Sequence, residues 1–318
     1  MRRVMAQGSL VDALVTRSSR RGETRLEGIR ALVDWGPIVA GLAPLGAAKP
    51  GRPPYPPEVM LRALLLAQWY DLSDPGLEEA LADRLSFRRF VGLSLQDPVP
   101  DETTLCRFRN ALAAHNLTET VFNEVNRQLD AKGLIVKRGT LIDATVVAAA
   151  VRPPPAGEKT SPHDADANWL SHGKGQGKFG YKAHVAADEG SGLVRKAVMT
   201  PAAIHDSTPA DHLIMGDEGA VYADKAYEKQ ARRAALRARG IKDRIMHKGQ
   251  RGHKLTVWQK RHNKLLAPIR CAIERIFGTW KRSYGYRRVK YRGLRRNENQ
   301  LHLLCIAFNL RKAFTLMA

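Results

Sequence analysis

The N-terminal part of the chain is patterned for helices. Between residues 55 and 133 the hydrophobic positions recur every three or four residues, which is the period of an amphipathic α-helix. Four helices are predicted, at VMLRALLLAQWYDL, LEEALADRLSFRRFVGL, PDETTLCRFRNALAAHN and LTETVFNEVNRQLDAKG. Their ends are marked by proline in a first turn, by Gly133, and by capping side chains at Ser73 or Asp74, Asp101 or Thr103, and Asn116. We expect a small all-helical unit, here called the helical domain, over residues 52–133, after an N-terminal arm over residues 1–51.

After Gly133 the pattern changes to alternating and β-branched positions. Strands are predicted at GTLIDATVVAAA, YKAHVAAD, LVRKAVMTPA, GAVYAD and IKDRIMHKG, with a hairpin turn at DEGSG. Helices are predicted shortly after His205, at KAYEKQARRAALRARG, over roughly residues 262–283, and at RNENQLHLLCIAFNLRKAF. A polar loop rich in Pro, Gly and Ser covers residues 152–178. Three strands followed by alternating helices and strands predict an α/β domain with one mixed sheet over residues 134–318.

The chain carries far more basic than acidic side chains, which narrows the class of partner. Its 318 residues include 52 Lys and Arg against 31 Asp and Glu, a formal net charge of +21. Such a charge favours a polyanion, and nucleic acid is the first candidate. The chain has no run of about 18 apolar residues, no secretory signal and no basic helix with a broad apolar face, so we expect no membrane partner. The three cysteines have neither disulfide nor zinc spacing, which is typical of a reducing cytosol.

One acidic residue stands alone in a strongly basic segment near the C-terminus. The stretch RCAIERIFGTWKRSYGYRRVKYRG, residues 270–293, contains eight Lys and Arg but only one acid, Glu274. Because helical positions advance about 100° per residue, Arg270, Glu274 and Lys281 share one stripe of a helix. Two interpretations are open. Glu274 is either a metal-binding carboxylate between phosphate-binding cations, or the i, i+4 ion-pair partner of Arg270 on a solvated helix.

Two further carboxylates interrupt predicted strands. Asp143 lies within LIDAT, among apolar and β-branched residues, where an ionised side chain is unfavourable unless it is paired. Asp224 closes the strand GAVYAD, and the functional groups of α/β sheets gather at the ends of strands. The alternatives are a solvent-facing position for Asp143 and a helix N-cap for Asp224. Neither residue taken alone decides between these interpretations.

Taken together, the three acidic segments resemble the catalytic blocks of a known enzyme family. LIDAT, YADKAY and the R-x3-E-x6-K pattern of Arg270, Glu274 and Lys281 look like the three blocks of DDE transposases. The closest group is the insertion sequence five family, which is related to the insertion sequence four group. The helical region, GYKAHVAAD, TPAAIHDS and NENQLHLLCIAFNLRK also resemble family segments, over roughly residues 52–315. No single block is decisive, but six blocks in the right order are highly specific.

This resemblance implies an RNase H-like catalytic domain with defined residue roles. Asp143 on the first strand, Asp224 at the end of a later strand and Glu274 on the long helix would be catalytic and would hold two Mg²⁺ ions, for which Mn²⁺ can substitute. Hard oxygen ligands suit Mg²⁺, and two ions about 3.5–4 Å apart stabilise the attacking and the leaving oxygen of a phosphodiester. Arg270 and Lys281 would hold phosphates. A freed 3′-hydroxyl at the end of the element would then attack target DNA.

The resemblance also implies that the partner is double-stranded DNA. The helical domain would bind the terminal inverted repeats of a bacterial insertion sequence through Arg107 and Arg109, and Lys182 would contact the DNA backbone. The basic, aromatic-rich residues 280–296 would follow the backbone too. Ordinary exposed helix charges, or a strand edge kept soluble by lysine, are the alternatives. Because two element ends are cut together, we expect a homodimer on DNA, located on the nucleoid in the bacterial cytoplasm.

Several positions leave the interpretation incomplete. Ala267 stands where the family usually has a tyrosine, three positions before Arg270, so the supporting contact of that tyrosine is in question. His184 and His205 recur in the family pattern and could border the site, although a lone histidine is more often structural. Trp258, between the second and third acids, is expected to serve packing. The alternative functions are another RNase H-like nuclease, such as a junction resolvase, and a DNA-binding protein that has lost catalysis.

Overall fold

The computed structural model describes residues 25–45, 54–155, 158–170, 177–249 and 253–318, so most of the predicted arm over residues 1–51 lies outside the described residues. The chain divides into two compact units. One consists of the residues up to Leu129 together with Ile306–Ala318, and the other is Asp130–Cys305. The C-terminal residues therefore group with the helical unit, whereas the sequence pattern assigned everything from 134 to 318 to one domain. No helix in the described ranges combines the length and the apolar character needed to cross a membrane.

The first unit is built from helices. They are α1 (Arg25–Ala31), α2 (Trp35–Ala40), a 3₁₀ turn (Ala43–Leu45), α3 (Pro57–Trp69), α4 (Asp74–Asp83), α5 (Leu85–Val91), α6 (Glu102–Ala114) and α7 (Leu117–Ala131). Ser73 and Asp101 cap α4 and α6, because their side chains accept hydrogen bonds from Gly76 N and Thr104 N. The predicted second helix is two helices instead of one, because the backbone at Arg84 is extended (φ −99°, ψ 109°) and ends α4 there.

The last helix, α11 (Leu294–Met317), runs across the division between the units. Two hydrogen bonds hold its C-terminal part in the helical unit. Trp69 Nε1 donates to the Ala307 carbonyl at 2.8 Å, and Asn309 Nδ2 donates to Asn126 Oδ1 at 2.8 Å. Residues 306–310 of this part are all buried, so every side of the helix is enclosed there. The end of the chain thus completes the core of the first unit.

The second unit contains a mixed sheet, as predicted, and in the described residues this sheet has six strands where the sequence pattern indicated five. Its strands are β1 (Thr140–Ala148), β2 (Asn168–Trp169), β3 (Phe179–Asp188), β4 (Val194–Pro201), β5 (Ala220–Ala223) and β6 (Lys242–Ile245). The strand order is β2-β3-β1-β5-β6, and β4 also pairs with β3. The β1, β3 and β4 pairings are antiparallel, whereas β1, β5 and β6 are parallel. A short turn joins the antiparallel strands β3 and β4, whereas the polar loop and β2 lie between β1 and β3, and the parallel strands β5 and β6 follow crossover connections.

Helices complete this unit. They are α8 (Ala210–Leu213), a 3₁₀ turn (Lys225–Tyr227), α9 (Gln230–Ala238), α10 (Val257–Ser283) and the first part of α11. The helix α10 begins earlier than predicted because Thr256 and Gln259 form a capping box, in which each side chain accepts a hydrogen bond from the backbone N–H of the other. It packs against β1 and β5 and buries Ile273, Phe277 and Trp280. This packing brings Arg270 beside Asp143 and Asp224, where the parallel pairing of β1 and β5 ends.

The described part of the polar loop at 152–178 is held against the start of α11. Asp164 Oδ1 accepts a hydrogen bond from Gly293 N at 3.2 Å and another from the Tyr181 hydroxyl at 2.6 Å. Asp166 Oδ2 accepts from Leu294 N at 2.7 Å. Both carboxylates therefore satisfy backbone N–H groups at a helix N-terminus, where negative charge is favourable. These two acids of the loop act as helix caps.

Candidate active site

Asp143, within β1, and Asp224, directly after β5, both follow the point where the parallel pairing of these two strands ends. The pairing of β1 with β5 ends at Ile142 and Ala223, and each aspartate is the next residue along its strand. Asp143 Oδ1 accepts a hydrogen bond from Ala144 N at 2.8 Å. Asp224 also caps the following 3₁₀ turn, since its side chain accepts from Lys225 N at 2.5 Å. The N-cap alternative for Asp224 is therefore true as well, and it leaves the carboxylate at the strand end.

A single guanidinium bridges the two carboxylates. Arg270, on α10, places Nη2 at 3.0 Å from Asp143 Oδ2 and Nη1 at 3.8 Å from Asp224 Oδ1. The side chains of Arg270 and Asp143 are only 13% and 21% exposed, and that of Asp224 is 35% exposed. The predicted strand residue Asp143 thus does not face solvent freely, and its negative charge is balanced by a cation from another element.

The electrostatics of Asp143 are set by its partial burial. Burial raises the pKa of the Asp143 carboxyl above its ordinary value, and the Arg270 guanidinium opposes that rise. The nearby charges of Asp224 and Asp206 push the pKa of Asp143 further upward. Asp143, Asp206 and Asp224 therefore lie close enough to interact electrostatically. A cation bound near them would favour the ionised form of Asp143.

Glu274 lies one turn beyond Arg270 on α10 and is exposed. The sequence left open an i, i+4 ion pair between Arg270 and Glu274, but Arg270 is directed to the two aspartates instead. Within the described ranges no ion pair involves Glu274, and no group of three or more His, Cys, Asp or Glu side chains could hold a metal ion. The structure brings Asp143 and Asp224 together and does not bring Glu274 into their group.

The two aspartates fit a divalent cation. Their carboxylates converge on one positive charge in this structure, and carboxylate oxygens are the donors that Mg²⁺ and Mn²⁺ prefer. The guanidinium of Arg270 stands in for that cation. The donor set of Asp143 and Asp224 is thus suited to a metal, whereas the third predicted ligand is not gathered.

Lys281, two turns beyond Glu274 on α10, is half-buried, and its charge interacts with that of Lys178. Burial lowers the pKa of the Lys281 ammonium, and the charge of Lys178 adds to that effect. Two cations that lie close enough to perturb one another attract an anion between them, and a phosphate is such an anion. The predicted phosphate-binding role of Lys281 stays a prediction, with Lys178 as a neighbour that the sequence did not single out.

In the basic segment that begins at Trp280, aromatic and basic side chains differ in burial. Its aromatic residues Trp280, Tyr284 and Tyr286 are buried, so they anchor the segment to the core of the unit. The cations between and after them are exposed, at Arg282, Arg287, Arg288, Lys290, Arg292, Arg295 and Arg296. A backbone bridge fixes the segment beside β1, because Ala148 N donates to the Arg287 carbonyl at 3.1 Å and Val289 N donates to the Ala148 carbonyl at 2.9 Å. The exposed cations form a surface that we call the basic strip.

Lys182 and His184 lie inside the unit. Lys182 is 5% exposed, and its ammonium lies 2.7 Å from Asp206 Oδ1 and donates to the Ile204 carbonyl at 2.7 Å. His184 is fully buried with Nε2 at 2.8 Å from Thr200 Oγ1, and burial lowers its pKa to about 4. These contacts join β3 to β4 and to the loop that follows it. Lys182 therefore stabilises the fold from a buried position, whereas the sequence suggested an exposed DNA contact.

Of the remaining predicted site residues, His205, Arg107 and Ala267 are exposed, and Arg109 is in a buried ion pair. His205 is exposed and its Nδ1 accepts a hydrogen bond from Ser207 N at 3.2 Å, a local turn contact. In the helical unit Arg107 is exposed. Arg109 is buried, and its two terminal nitrogens lie 2.6 and 2.7 Å from the two carboxylate oxygens of Asp74. Arg109 therefore ties α6 to α4, and of the two predicted contacts only Arg107 presents its charge to solvent. Ala267 is exposed on α10.

A basic cleft of about 670 Å³ opens beside the first turns of α10. Trp258 lines it, is 64% exposed, and stacks on His262 with ring centroids 5.2 Å apart and an interplanar angle of 16°. The acids Glu228 and Asp243 of the cleft are paired with the buried Arg233 at 3.0 and 2.5 Å. The other charged side chains of its wall are cations, at Arg237, Lys242, Arg244, Lys248 and Lys254. Trp258 therefore packs at the surface, against His262, with most of its ring open to solvent.

Two family models match this chain, one over the α/β unit and one over the N-terminal part. Residues 135–310 match the family model described as "Transposase DDE domain". Residues 14–111 match the model described as "Transposase domain (DUF772)". No solved structure matches the chain. The matched DDE domain has an RNase H-like fold, which agrees with the mixed sheet, and it implies DNA as partner and a divalent metal as cofactor. The chain therefore belongs to the transposases with a DDE domain, the proteins that carry out DNA transposition.

Proposed function

We propose that this chain is the transposase of a bacterial insertion sequence of the insertion sequence five family. It binds the terminal inverted repeats of its element, cleaves phosphodiester bonds at the element's ends and joins the freed 3′-hydroxyls to target DNA. The observation that carries the proposal is the convergence of Asp143 and Asp224 on one cation, just beyond the last paired residues of β1 and β5. That arrangement lies within the segment that matches the DDE domain.

The acids would supply the ligands for the chemistry. Asp143 and Asp224 would hold the divalent metal, and Glu274, one turn beyond Arg270 on α10, is proposed as the third ligand. When bound, two metal ions activate the attacking oxygen and stabilise the leaving oxygen of the phosphodiester. The partial burial of Asp143 suits this role, because an acid with little access to water gains more from a bound cation than an exposed one does.

The cations would hold DNA. Lys281 with Lys178, and the basic strip, offer exposed or half-buried positive charge on the same unit as the acids. Charges of this kind bind phosphates and position the duplex without reading its sequence. Recognition of the terminal repeats is proposed for the helical unit, with Arg107 as a contact. Arg109 and Lys182 support their own units through buried ion pairs, so we no longer assign them to DNA.

Assembly follows from the reaction. Because two element ends are cut and joined together, we propose a homodimer on DNA, acting on the nucleoid in the bacterial cytoplasm. A complex in which one copy of the chain bridges both ends would contradict this part of the proposal, and the mass of the protein–DNA complex in solution decides between them.

Strand transfer by wild type and Glu274→Gln is the experiment that tests the function. A labelled DNA end carrying the repeat that flanks the gene is incubated with target DNA and Mg²⁺ or Mn²⁺. We expect wild type to join the end to the target, and Glu274→Gln to bind DNA but neither cleave nor join it. Glu119→Gln, which changes an exposed helical glutamate of the first unit, is the matched control and should behave as wild type.

Three other outcomes point elsewhere. If Glu274→Gln keeps full activity, Glu274 is a surface residue and the third acid is assigned wrongly. If wild type cleaves DNA and never joins it, the chain is a nuclease of the resolvase kind. If wild type binds DNA and does neither with Mn²⁺, it is a DNA-binding protein without catalysis.

A further inference from the structure

We propose that Arg270 is an internal counterion that closes the active site at rest, and that metal and DNA displace it together. In this structure the guanidinium takes the position of the shared cation between Asp143 and Asp224. When a metal ion takes that position, Arg270 is released to bind a DNA phosphate. This inference rests on the proposed metal-dependent function, and it adds a coupling between the two ligands.

The geometry of Arg270 differs from that of the buried arginines Arg195, Arg232 and Arg233 of its unit, whose bonds are more numerous or shorter. Arg233 is also shared between two acids, but it donates to Asp243 Oδ2 at 2.5 Å, to Glu228 Oε1 at 3.0 Å and to the Ile245 carbonyl at 3.1 Å. Arg195 brings one nitrogen to 2.6 and 2.7 Å from both carboxylate oxygens of Asp217. Arg232 binds Asp211 at 2.6 and 3.2 Å and also donates to the Ser207 carbonyl at 2.7 Å. Such multiply bonded guanidiniums are fixed parts of the fold. Their carboxylate partners cannot change without leaving a buried cation unpaired.

Arg270, in contrast, is divided between two acids and is only partly bonded. It makes one hydrogen bond of 3.0 Å to Asp143, while its approach to Asp224 is 3.8 Å, beyond hydrogen-bond distance. Its third nitrogen, Nε, is buried and has no hydrogen-bond partner in the described part of the chain. Its remaining contact is a weak one, from Nη1 to Met246 Sδ at 3.6 Å. Attraction between opposite charges holds Arg270 here, and few directional bonds would be lost if it left.

A metal ion and this guanidinium cannot both occupy the space between the two carboxylates. Two positive charges a few ångströms apart repel strongly where water is scarce, so binding of the metal favours departure of Arg270. Arg270 lies on the same stripe of α10 as Lys281. A DNA phosphate bound near Lys281 would therefore be within its reach once it leaves the two aspartates. Conversely, a phosphate that binds Arg270 leaves the aspartates without a counterion and raises their affinity for metal. By thermodynamic linkage each ligand must then strengthen the other by the same factor.

Mn²⁺ binding, followed by the electron paramagnetic resonance signal of free Mn²⁺, tests this inference without measuring activity. The proteins are wild type, Arg270→Ala and Arg270→Gln, each with and without a saturating duplex that ends in the repeat flanking the gene. Arg275→Ala removes an exposed cation from the next turn of α10 and controls for the loss of charge. Asp143→Asn/Asp224→Asn gives the background from unrelated sites. The Gln variant keeps a long polar side chain, so the test stands if Arg270→Ala does not fold.

Without DNA, we expect both Arg270 variants to bind Mn²⁺ about tenfold more tightly than wild type and than Arg275→Ala. With DNA, wild type should gain by a factor within the range of about 5 to 150 that is typical of coupled sites. The Arg270 variants should gain less than about threefold, because their site is already open. Arg270→Lys should lie between wild type and Arg270→Ala, since lysine keeps the charge but cannot span two carboxylates as a fork.

Two results would overturn the inference. One is Mn²⁺ affinity in the DNA-free Arg270 variants that equals or falls below that of wild type. The other is an equal gain on adding DNA in wild type and in Arg270→Ala. Failure of the proposed function looks different: every protein, with or without DNA, would then bind Mn²⁺ no better than Asp143→Asn/Asp224→Asn, and strand transfer would be absent.

Discussion

Arg109 of the helical unit and Arg270 of the α/β unit occupy comparable positions for different purposes. Both were predicted to contact DNA, and both lie on aspartate carboxylates. Arg109 places its two terminal nitrogens on the two oxygens of one aspartate, at 2.6 and 2.7 Å. Arg270 spreads them over two aspartates at 3.0 and 3.8 Å and leaves Nε without a hydrogen bond.

This difference in bonding distinguishes an arginine that is a fixed part of the fold from one that another cation can displace. A bidentate pair satisfies both partners and resists exchange, because removing either leaves a buried charge unpaired. A cation that makes one hydrogen bond to one acid and only approaches a second acid to 3.8 Å is bonded less firmly, so another cation can replace it. The same residue type in a basic chain thus supports the fold in one unit and balances the active-site acids in the other. Each of the following predictions tests that separation.

The largest expected effect is on catalysis. Asp143→Asn should lower the rate of strand transfer by about 10³-fold or more, because a metal supplies several kcal/mol of charge stabilisation and each 1.4 kcal/mol is a factor of ten. The free energy of unfolding should change by less than about 1 kcal/mol, since burial already disfavours the ionised form of Asp143. Single-turnover joining and urea unfolding measure the two quantities. A variant that unfolds would show that Asp143 belongs with the structural class.

The next effect is on stability. Arg109→Gln should lower the free energy of unfolding by about 3 kcal/mol, because it leaves Asp74 without its partner in a largely buried pair. Arg107→Gln, at an exposed position of the same helix, is the control and should change it by less than about 0.5 kcal/mol. Urea unfolding of both variants is the measurement. If Arg109→Gln were as stable as wild type and bound the terminal repeat more weakly, Arg109 would be a DNA contact after all.

A smaller effect is expected from pH at the buried His184. The charge of Asp206 favours protonation of this imidazole and that of Lys182 opposes it, but burial dominates and lowers its folded pKa to about 4. The unfolded value is near 6.5, so the unfolded chain takes up the proton first and stability falls as the pH drops from about 6.5 towards 4. Between pH 7 and pH 5 the loss due to this residue is about 2 kcal/mol. His184→Gln should remove that part of the pH dependence of urea unfolding.

The smallest effect concerns DNA affinity. Lys281→Gln should reduce the slope of log K against log salt by about 1, because one phosphate contact is lost. Lys182→Gln should leave the slope unchanged, since its ammonium is buried against Asp206 and the Ile204 carbonyl. Binding of a duplex at several salt concentrations measures both. Equal slopes for wild type and Lys281→Gln would remove Lys281 from the proposed DNA surface.

Several features were predictable because they depend on local pattern. The caps at Ser73 and Asp101 and the strand around Asp143 follow from side-chain chemistry and periodicity over a few residues. The break at Arg84 and the early start of α10 were not predicted, because helix boundaries depend on competing local contacts. The two-residue strand β2 lies in a segment whose polar composition gives no strand pattern.

By itself, the sequence determined the transposase family, the mixed α/β fold and the identity of three candidate acids, because the order of blocks and the period of apolar positions are properties of the chain. Only the tertiary structure decided which charges meet. It directed Arg270 to Asp143 and Asp224 instead of Glu274, and it buried Lys182 and Arg109 in ion pairs. Partners more than a hundred residues apart, such as Arg270 and Asp143, leave no trace in local spacing, since their approach depends on how α10 packs on β1 and β5.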